Sequence, residues 1–246
     1  MRRRQLRRPG MVAVAGLVVA LVAGASGCGL NGDSFDDNSA LSGKITSVLL
    51  DDTGADVTVK GTSGTRSLTL ERRVEYRDDR PKKPTHRIEN GVLVLGGCGR
   101  DCSVEYEVEV PEGTPVRGEM SKGTVKLSRV GAVKVTTKSG RIEMNGVKGA
   151  VEVKTSKGRI TGRNIQGNRI TAAAGDGTVH LTVRTPASVT ATTDGGRISL
   201  RVPKARYQVA VASDGGDKNV DIAHDPRGRH KITLKTKDGD ITLRDS

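Results

Sequence analysis

Hydrophobic and polar residues alternate with a period of two through most of the chain after Gly43. The alternation is clearest in residues 57–59, 68–70, 104–110, 151–153, 198–202 and 232–234. Period two is typical of β-strands with one buried face, and no segment has the sustained i, i+3, i+4 apolar spacing of an amphipathic helix. The sequence therefore predicts an all-β fold for residues 43–246.

The second half of the chain repeats one short motif, in which a turn that ends in glycine precedes a strand with Val or Ile two residues on. The predicted turn glycines are Gly123, Gly140, Gly158, Gly177, Gly196 and Gly239. The first five follow one another at steps of 17, 18, 19 and 19 residues, and a looser copy at residues 214–216 lies before the sixth. A repeat of this length fits one coil of a β-solenoid, and about seven coils fill residues 117–246. A β-sandwich or barrel built from hairpins is the alternative architecture.

The composition agrees with a thin, stacked core. Only 2% of the residues are aromatic, with no Trp, one Phe and three Tyr, whereas 32 are glycine. Inward Val, Ile, Leu and Ala can fill the narrow space inside stacked coils, and glycine supplies the positive φ that tight corners need. The scarcity of rings also argues against aromatic stacking sites for sugars or single-stranded nucleic acid.

The residues that carry the repeat resemble a known family. Residues 108–114 (VEVPEGT), together with the motifs at Gly123, Gly140 and Gly158, are similar to the bacterial "putative adhesin" β-strand-repeat family, a domain of unknown function found on exported proteins. The resemblance covers residues 42–246 and implies a fold of repeated β-strands. It implies no catalytic residues, because that family offers none.

The first 27 residues have the pattern of a signal peptide. Five arginines precede an apolar run of about 15 residues from Met11 to Ala25, which suits a signal h-region and is short for a spanning helix. The small residues before Cys28 resemble the lipobox of bacterial lipoproteins, so Cys28 is the predicted lipid attachment site. We therefore expect an extracytoplasmic protein anchored to the cell membrane by a lipidated cysteine. Ala23 and Ala25 also fit an ordinary cleavage site, which leaves secretion as the alternative.

Cys98 and Cys102 are the other two of the three cysteines, and they lie where two strand-like segments meet. With Cys28 lipidated, this pair can form a disulfide in an oxidising compartment without leaving a free thiol. A disulfide that closes so short a loop adds little chain-entropy stabilisation, so its expected use is to fix the turn. No neighbouring His or Cys completes a four-coordinate zinc site, and we predict no metal and no other cofactor.

Charge divides the chain that follows the signal peptide into unlike parts. Residues 28–42 are rich in Asn, Ser, Asp and Gly and are predicted to be a flexible tether. The N-terminal β-region, residues 43–116, is net acidic, and with the tether it carries 11 basic and 16 acidic residues. The repeat region, residues 117–246, carries 25 basic and 12 acidic residues.

The basic repeat region predicts an anionic partner, because clustered positive charge attracts polyanions. Outside a bacterial membrane the candidates are anionic wall polymers, phospholipid head groups and extracellular DNA, and no motif for sequence-specific nucleic-acid binding is present. The alternative is that the basic residues only protect exposed strands from aggregation. The candidate polyanion contacts are Arg141, Arg159, Arg197, Lys138 and Lys157.

The acidic residues do not predict catalysis. Glu105, Glu107 and Glu109 alternate on one strand face, where they are expected to meet solvent or cross-strand bases such as Lys122 or Lys126. The repeat region has one aromatic residue, too few for the sugar-binding subsites of a polysaccharide-cleaving solenoid. We expect the protein not to be an enzyme.

Together these features predict a non-catalytic, lipid-anchored envelope protein that presents a β-repeat surface. That surface would serve adhesion or the binding of anionic envelope polymers. The alternative function is a structural or sensory subunit of the envelope that binds a partner protein.

Overall fold

The computed structural model describes residues 32–41, 43–64 and 68–246. The predicted signal peptide, Cys28 and the first residues of the predicted tether lie outside the described residues. Within the described residues the regular structure consists of nineteen β-strands, which confirms the all-β prediction. These residues include no helix with the length and hydrophobicity of a membrane span.

The strands fall into an N-terminal region and the repeat region. The first contains β1 (Asp33–Leu41), β2 (Ser47–Thr53), β3 (Asp56–Thr62), β4 (Leu68–Tyr76), β5 (His86–Glu89), β6 (Val92–Gly96) and β7 (Cys102–Pro111). The second contains β8 (Val116–Ser128), β9 (Val133–Asn145), β10 (Val151–Lys157), β11 (Ile160–Ile165), β12 (Arg169–Asp176), β13 (Val179–Val183), β14 (Ser188–Gly195), β15 (Ile198–Val202), β16 (Tyr207–Ser213), β17 (Lys218–Val220), β18 (His230–Asp238) and β19 (Ile241–Asp245).

Each layer of the fold has two strand segments that meet at a corner, so the layers build two arms of one sheet. In the first arm the neighbours are β6, β2, β8, β9, β10, β12, β14, β18 and β16, with β5 antiparallel outside β6. In the second arm they are β7, β3, β8, β9, β11, β13, β15, β19 and β17, with β4 and β1 antiparallel outside β7. The long strands β8 and β9 pass through the corner and belong to both arms. The result is an open, solenoid-like stack, which confirms the predicted architecture. The alternative, a β-sandwich or barrel built from hairpins, is wrong because the strands of the repeat region pair in parallel.

The repeat region supplies seven of these layers, starting with β8, as its spacing predicts. The last two layers are exchanged relative to the chain order. The layer β18/β19 lies between β14/β15 and β16/β17, so β16/β17 ends the stack. Sequence spacing could not show this exchange, because it depends on pairing between distant strands.

The predicted turn glycines form one column along the corner of the stack. A Cβ atom at Gly140 would overlap the carbonyl oxygen of Gly123, and the same relation holds between Gly158 and Gly140 and between Gly177 and Gly158. The column continues through Gly196, Gly239 and the looser copy at Gly216. Successive layers can therefore approach one another at the corner only because these residues have no side chain.

Buried threonines line the inside of the same corner. They are Thr137, Thr155, Thr193 and Thr236. The hydroxyl of Thr193 lies 2.8 Å from the carbonyl oxygen of Gly175 and 2.9 Å from that of Gly177. Hydroxyl donors thus reach backbone carbonyl groups at the corner, as buried polar groups require.

The core between the two arms is one cluster of inward Val, Ile, Leu and Ala side chains with two methionines and two tyrosines. Tyr106 lies in the first layer and Tyr207 in the last, and both rings are buried. The described layers between them contain no Phe, Tyr or Trp in their strands. A repeated narrow cross-section therefore excludes rings, as the composition predicts, and the ends of the stack admit them.

Two features of the predicted chain organisation differ in the structure. Residues 33–41, expected to be part of a flexible tether, form β1, which pairs with β4 along its whole length. Phe35 explains this order, because its ring packs on Tyr76 with the centroids 6.1 Å apart. The N-terminal β-region and the repeat region, expected to meet between residues 116 and 117, are continuous in the structure. Strand β8 starts at this boundary and pairs with β2 and β3, and residues Gly32–Ser246 form one compact unit.

Candidate polyanion-binding face

The outer side of the second arm carries a cluster of basic side chains, which we call the arginine face. Alternation along each strand sends every second side chain outward, and the parallel register places these side chains side by side in successive layers, about 4.8 Å apart. The arginine face consists of Lys126, Arg141, Arg159, Arg163, Arg197 and Arg201. Strands β11, β13 and β15 contain no Asp or Glu, so their positive charge has no acidic neighbour on the same strands.

Carboxylates neutralise only part of the arginine face. Arg197 lies 3.1 Å from Asp240 and Arg141 lies 3.7 Å from Glu143. Arg159 instead donates from Nε to the Thr178 hydroxyl at 3.2 Å. Within the part of the chain that the structure describes, four members of the face have no carboxylate oxygen within 4.0 Å. They are Lys126, Arg159, Arg163 and Arg201.

Two shifted pKa values reflect this electrostatic environment. The pKa of Asp240 is lowered because the backbone N–H of Asp217 donates to its carboxylate and because Arg197 lies beside it. The pKa of His180, on β13, is lowered by burial and then by the guanidinium groups of Arg163 and Arg201. The centre of the arginine face therefore disfavours an additional positive charge when no anion is present.

A shallow groove of about 440 Å³ crosses the outer surface of β8, β9 and β11. Its lining includes Lys126, Arg141, Arg159 and Arg163, together with one acidic residue, Glu143. The groove runs across the strands, along the direction in which the layers stack. An extended anionic chain can follow it and meet a basic side chain in each layer.

The structure separates the predicted polyanion contacts into two places. Arg141, Arg159 and Arg197 lie on the arginine face, each directly after a corner glycine. Lys138 and Lys157 are exposed at the corner itself, at the ends of first-arm segments.

Sequence reasoning missed three members of the face, namely Lys126, Arg163 and Arg201. The alternation within their strands could have found them. Arg163 stands three residues after the inward Ile160, and Arg201 stands three residues after the inward Ile198, so both must point outward.

The same outer surface is acidic at the N-terminal end of the stack, where a second groove of about 430 Å³ is lined by acidic and basic side chains. Glu105 and Glu107 line it, and Glu109 forms an ion pair of 3.3 Å with Lys60. Glu105 and Glu107 are exposed, as one of the two expectations for them states. The other expectation, pairing with Lys122 or Lys126, is wrong because β3 lies between β7 and β8, the strand that carries the two lysines.

Cys98 and Cys102 form a disulfide in the structure, with their Cα atoms 6.0 Å apart. The bond spans the turn between β6 and β7, so it occupies the corner of the first layer. The corner glycines occupy the equivalent place in the later layers. Among the described residues, no three His, Cys, Asp or Glu side chains are grouped as ligands for a metal ion.

These features define a class of protein: an open stack of parallel β-layers with a glycine corner and a strongly charged outer surface. The chain belongs to the Toastrack DUF4097 family, whose sequence model matches residues 46–244. This match confirms the family resemblance that the repeat motifs predict.

Three solved structures that are similar to the chain are distant from it in sequence. A "putative adhesin" from Parabacteroides distasonis ATCC 8503 is 13% identical, with 88% of this chain and 98% of that chain covered and a TM-score of 0.47. A "putative lipid binding protein" from the same organism is 10% identical, with 88% and 98% covered and a TM-score of 0.44. A "putative cell adhesion protein" from Clostridium sporogenes ATCC 15579 is 12% identical, with 87% and 100% covered and a TM-score of 0.37. No curated protein matches the chain.

Proposed function

We propose that this protein is a non-catalytic binding protein that acts outside the cytoplasmic membrane and holds an anionic envelope polymer on its arginine face. The observation that carries the proposal is the uncompensated positive charge of Arg163 on β11 and Arg201 on β15, two strands that contain no acidic residue. Aligned guanidinium groups on a rigid sheet suit a polyanion, because arginine forms forked, charge-assisted hydrogen bonds to anionic oxygens.

The N-terminal sequence and the disulfide support a location outside the cytoplasm. Residues 1–27 have the pattern of a signal peptide, and Cys28 follows small residues as in a lipobox. A disulfide between Cys98 and Cys102 suits an oxidising compartment. We propose that Cys28 carries the lipid and that β1 continues from the anchored segment into the stack.

The two carboxyl groups with shifted pKa values lack one property of a general acid. The Lys148 ammonium beside Glu112 lowers the pKa of that carboxyl group, and the pKa of Asp240 is also lowered. A general acid needs a raised pKa so that it keeps its proton near neutral pH. These two groups are therefore unsuited to donate a proton in glycoside cleavage.

The test is the affinity of the purified full chain for poly(glycerol phosphate), measured by biolayer interferometry from about 50 mM to about 200 mM salt. We expect the logarithm of the affinity to fall linearly with the logarithm of the salt concentration, because binding releases counterions from the polymer. Weak retention that does not change with salt would contradict the proposal.

A partner protein is the second candidate ligand, and one observation favours it. The acidic groove that contains Asp36, Glu71, Glu105 and Glu107 lies on the same outer side as the arginine face, so a protein with both charges could span the two. Pull-down from membranes with the lipid anchor intact separates the candidates. A stoichiometric protein that remains bound after the polymer is digested would support this second function.

A further inference from the structure

His180 lies within the arginine face, on the strand between the two strands that carry Arg163 and Arg201. It points outward from β13, and the parallel register places it opposite Thr161 on β11 and Ser199 on β15. Arg163 follows two residues after Thr161, and Arg201 follows two residues after Ser199. Arg201 is paired with Thr182, the next outward residue after His180, and Arg163 lies at a similar level on β11. The two arginines therefore lie diagonally to His180, one on each neighbouring strand, and both are close enough to lower its pKa.

The charged groups around His180 are all basic. Within the described residues, neither Arg163 nor Arg201 has a carboxylate oxygen within 4.0 Å. The groups on its own strand segment and on the two strands packed against it are Arg184 after β13, Arg159 and Arg163 at β11, and Arg197 and Arg201 at β15. Of these, only Arg197 is paired with a carboxylate, Asp240. Arg163, His180 and Arg201 are thus three possible hydrogen-bond donors to one anion, and no carboxylate on these strands competes for them.

From this geometry we propose that Arg163, His180 and Arg201, here called the His180 subsite, bind one phosphate group of a phosphodiester polymer. The proposal rests on the function proposed above and names the chemistry of the ligand. Two guanidinium forks approach from opposite sides, which suits the tetrahedrally arranged oxygens of a phosphate better than the planar oxygens of a single carboxylate. The protonated imidazole of His180 donates the third contact.

A polymer suits the subsite better than the surface of a lipid bilayer. The outward positions of the second-arm segments from β8 to β15 are all polar or charged, so this face has no apolar side chain to insert between acyl chains. Basic residues continue in the layers on both sides of the subsite, with Arg141 on β9, which lies 3.7 Å from Glu143, and Arg244 on β19, which lies 3.4 Å from Asp221. A linear chain of phosphates that runs across the strands can use these positions in succession.

Binding at the His180 subsite makes affinity depend on pH. Burial, and after it the guanidinium groups of Arg163 and Arg201, lower the pKa of His180 and so favour its neutral form. A bound phosphate group stabilises the imidazolium and raises that pKa, so by linkage the affinity must rise as the pH falls. A phosphodiester keeps its charge over this range, so the change in affinity comes from the protein.

The experiment measures affinities of the full chain for poly(glycerol phosphate) and for polyglutamate at about pH 7.5 and about pH 5.5. We expect tighter binding of the phosphate polymer, with an affinity that rises by up to about tenfold at the lower pH, which corresponds to a shift of one pKa unit. His180→Asn should abolish that rise. His224→Asn, in the loop that follows β17, is the matched control and should retain it. In NMR spectra of the wild type, the polymer should raise the pKa of the His180 ring.

The outcomes separate this inference from the proposed function. Equal, pH-independent binding of the two polymers, or a full pH effect in His180→Asn, would overturn the subsite and leave polyanion binding in place. Binding of neither polymer by the wild type would overturn both proposals. Vesicles that contain phosphatidylglycerol form the last arm of the experiment. If they show the same dependence on pH and His180 while the polymer does not, lipid head groups are the phosphate source and the polymer assignment is wrong.

Discussion

The glycine column makes a quantitative prediction about the stack. In Gly177→Ala, the new Cβ atom would overlap the carbonyl oxygen of Gly158, where a contact of about 3.3 Å or more is needed. The layers β10/β11 and β12/β13 would have to separate at the corner. Two backbone hydrogen bonds hold them together there, from Gly158 N–H to Asp176 at 3.1 Å and from Ile160 N–H to Thr178 at 2.9 Å.

The expected cost follows from those two hydrogen bonds. Each bond that is broken without a replacement partner costs about 1–2 kcal/mol, so Gly177→Ala should lower the free energy of unfolding by about 2–4 kcal/mol. Gly113→Ala is the matched control, because Gly113 has a φ of +82° and a Cβ atom added there would meet nothing within 4 Å beyond its chain neighbours. This control should cost about 1 kcal/mol, which reflects backbone strain alone.

Urea unfolding followed by circular dichroism measures both variants against the wild type. The account requires Gly177→Ala to be clearly less stable than Gly113→Ala. If Gly177→Ala is as stable as the wild type or as the control, the layers do not touch through the glycine column, and the explanation of the repeated glycine fails.

Three further predictions concern the anchor, the disulfide and the first layer. Cys28→Ala should move the protein from the membrane fraction to the soluble fraction and abolish acyl labelling, and acylation that persists would show that Cys28 is not the site. Reduction and alkylation should shift the mass of the peptide that contains Cys98 and Cys102, whereas thiols that react without reduction would contradict the pairing. Tyr106→Phe should lower the free energy of unfolding by about 1–2 kcal/mol, because the Tyr106 hydroxyl lies 2.7 Å from the Thr85 carbonyl oxygen and 2.8 Å from that of Gly96. An unchanged urea midpoint would show that this hydroxyl contributes nothing.

The fold was predictable where its signals are local. Alternation shows which residues of a strand face the core, and the step between Gly123, Gly140 and Gly158 shows the length of a layer. The strand β1 was missed because Asp33–Leu41 is mostly polar, and its order depends on pairing with β4 and on the contact between Phe35 and Tyr76. That partner lies far along the chain, where a local pattern gives no information.

The candidate site was only partly predictable for a related reason. The glycine motif marks the residue that follows each corner glycine, and it predicted Arg141, Arg159 and Arg197 as polyanion contacts. Arg163 and Arg201 lie farther along their strands, and the position of His180 on the strand between them follows from the register of three strands. The exchange of the last two layers also changes the charge of the site. It places β19 beside β15, so the Asp240 carboxylate lies next to Arg197 and neutralises it.

The central claim is that a particular face, and not net charge, binds the polymer. The most direct test compares two triple variants of the full chain that lose the same charge, in their affinity for poly(glycerol phosphate). One carries Arg159→Gln, Arg163→Gln and Arg201→Gln on the arginine face, and the other carries Lys154→Gln, Lys231→Gln and Lys235→Gln on the outer side of the first arm.

At about 1 kcal/mol for each basic residue near an anionic surface, the arginine variant should lose about 100-fold in affinity. The lysine variant should lose less than about fivefold, because its charges lie outside the contact and are screened by salt. An equal loss in the two variants would show that binding follows net charge alone and would contradict the account.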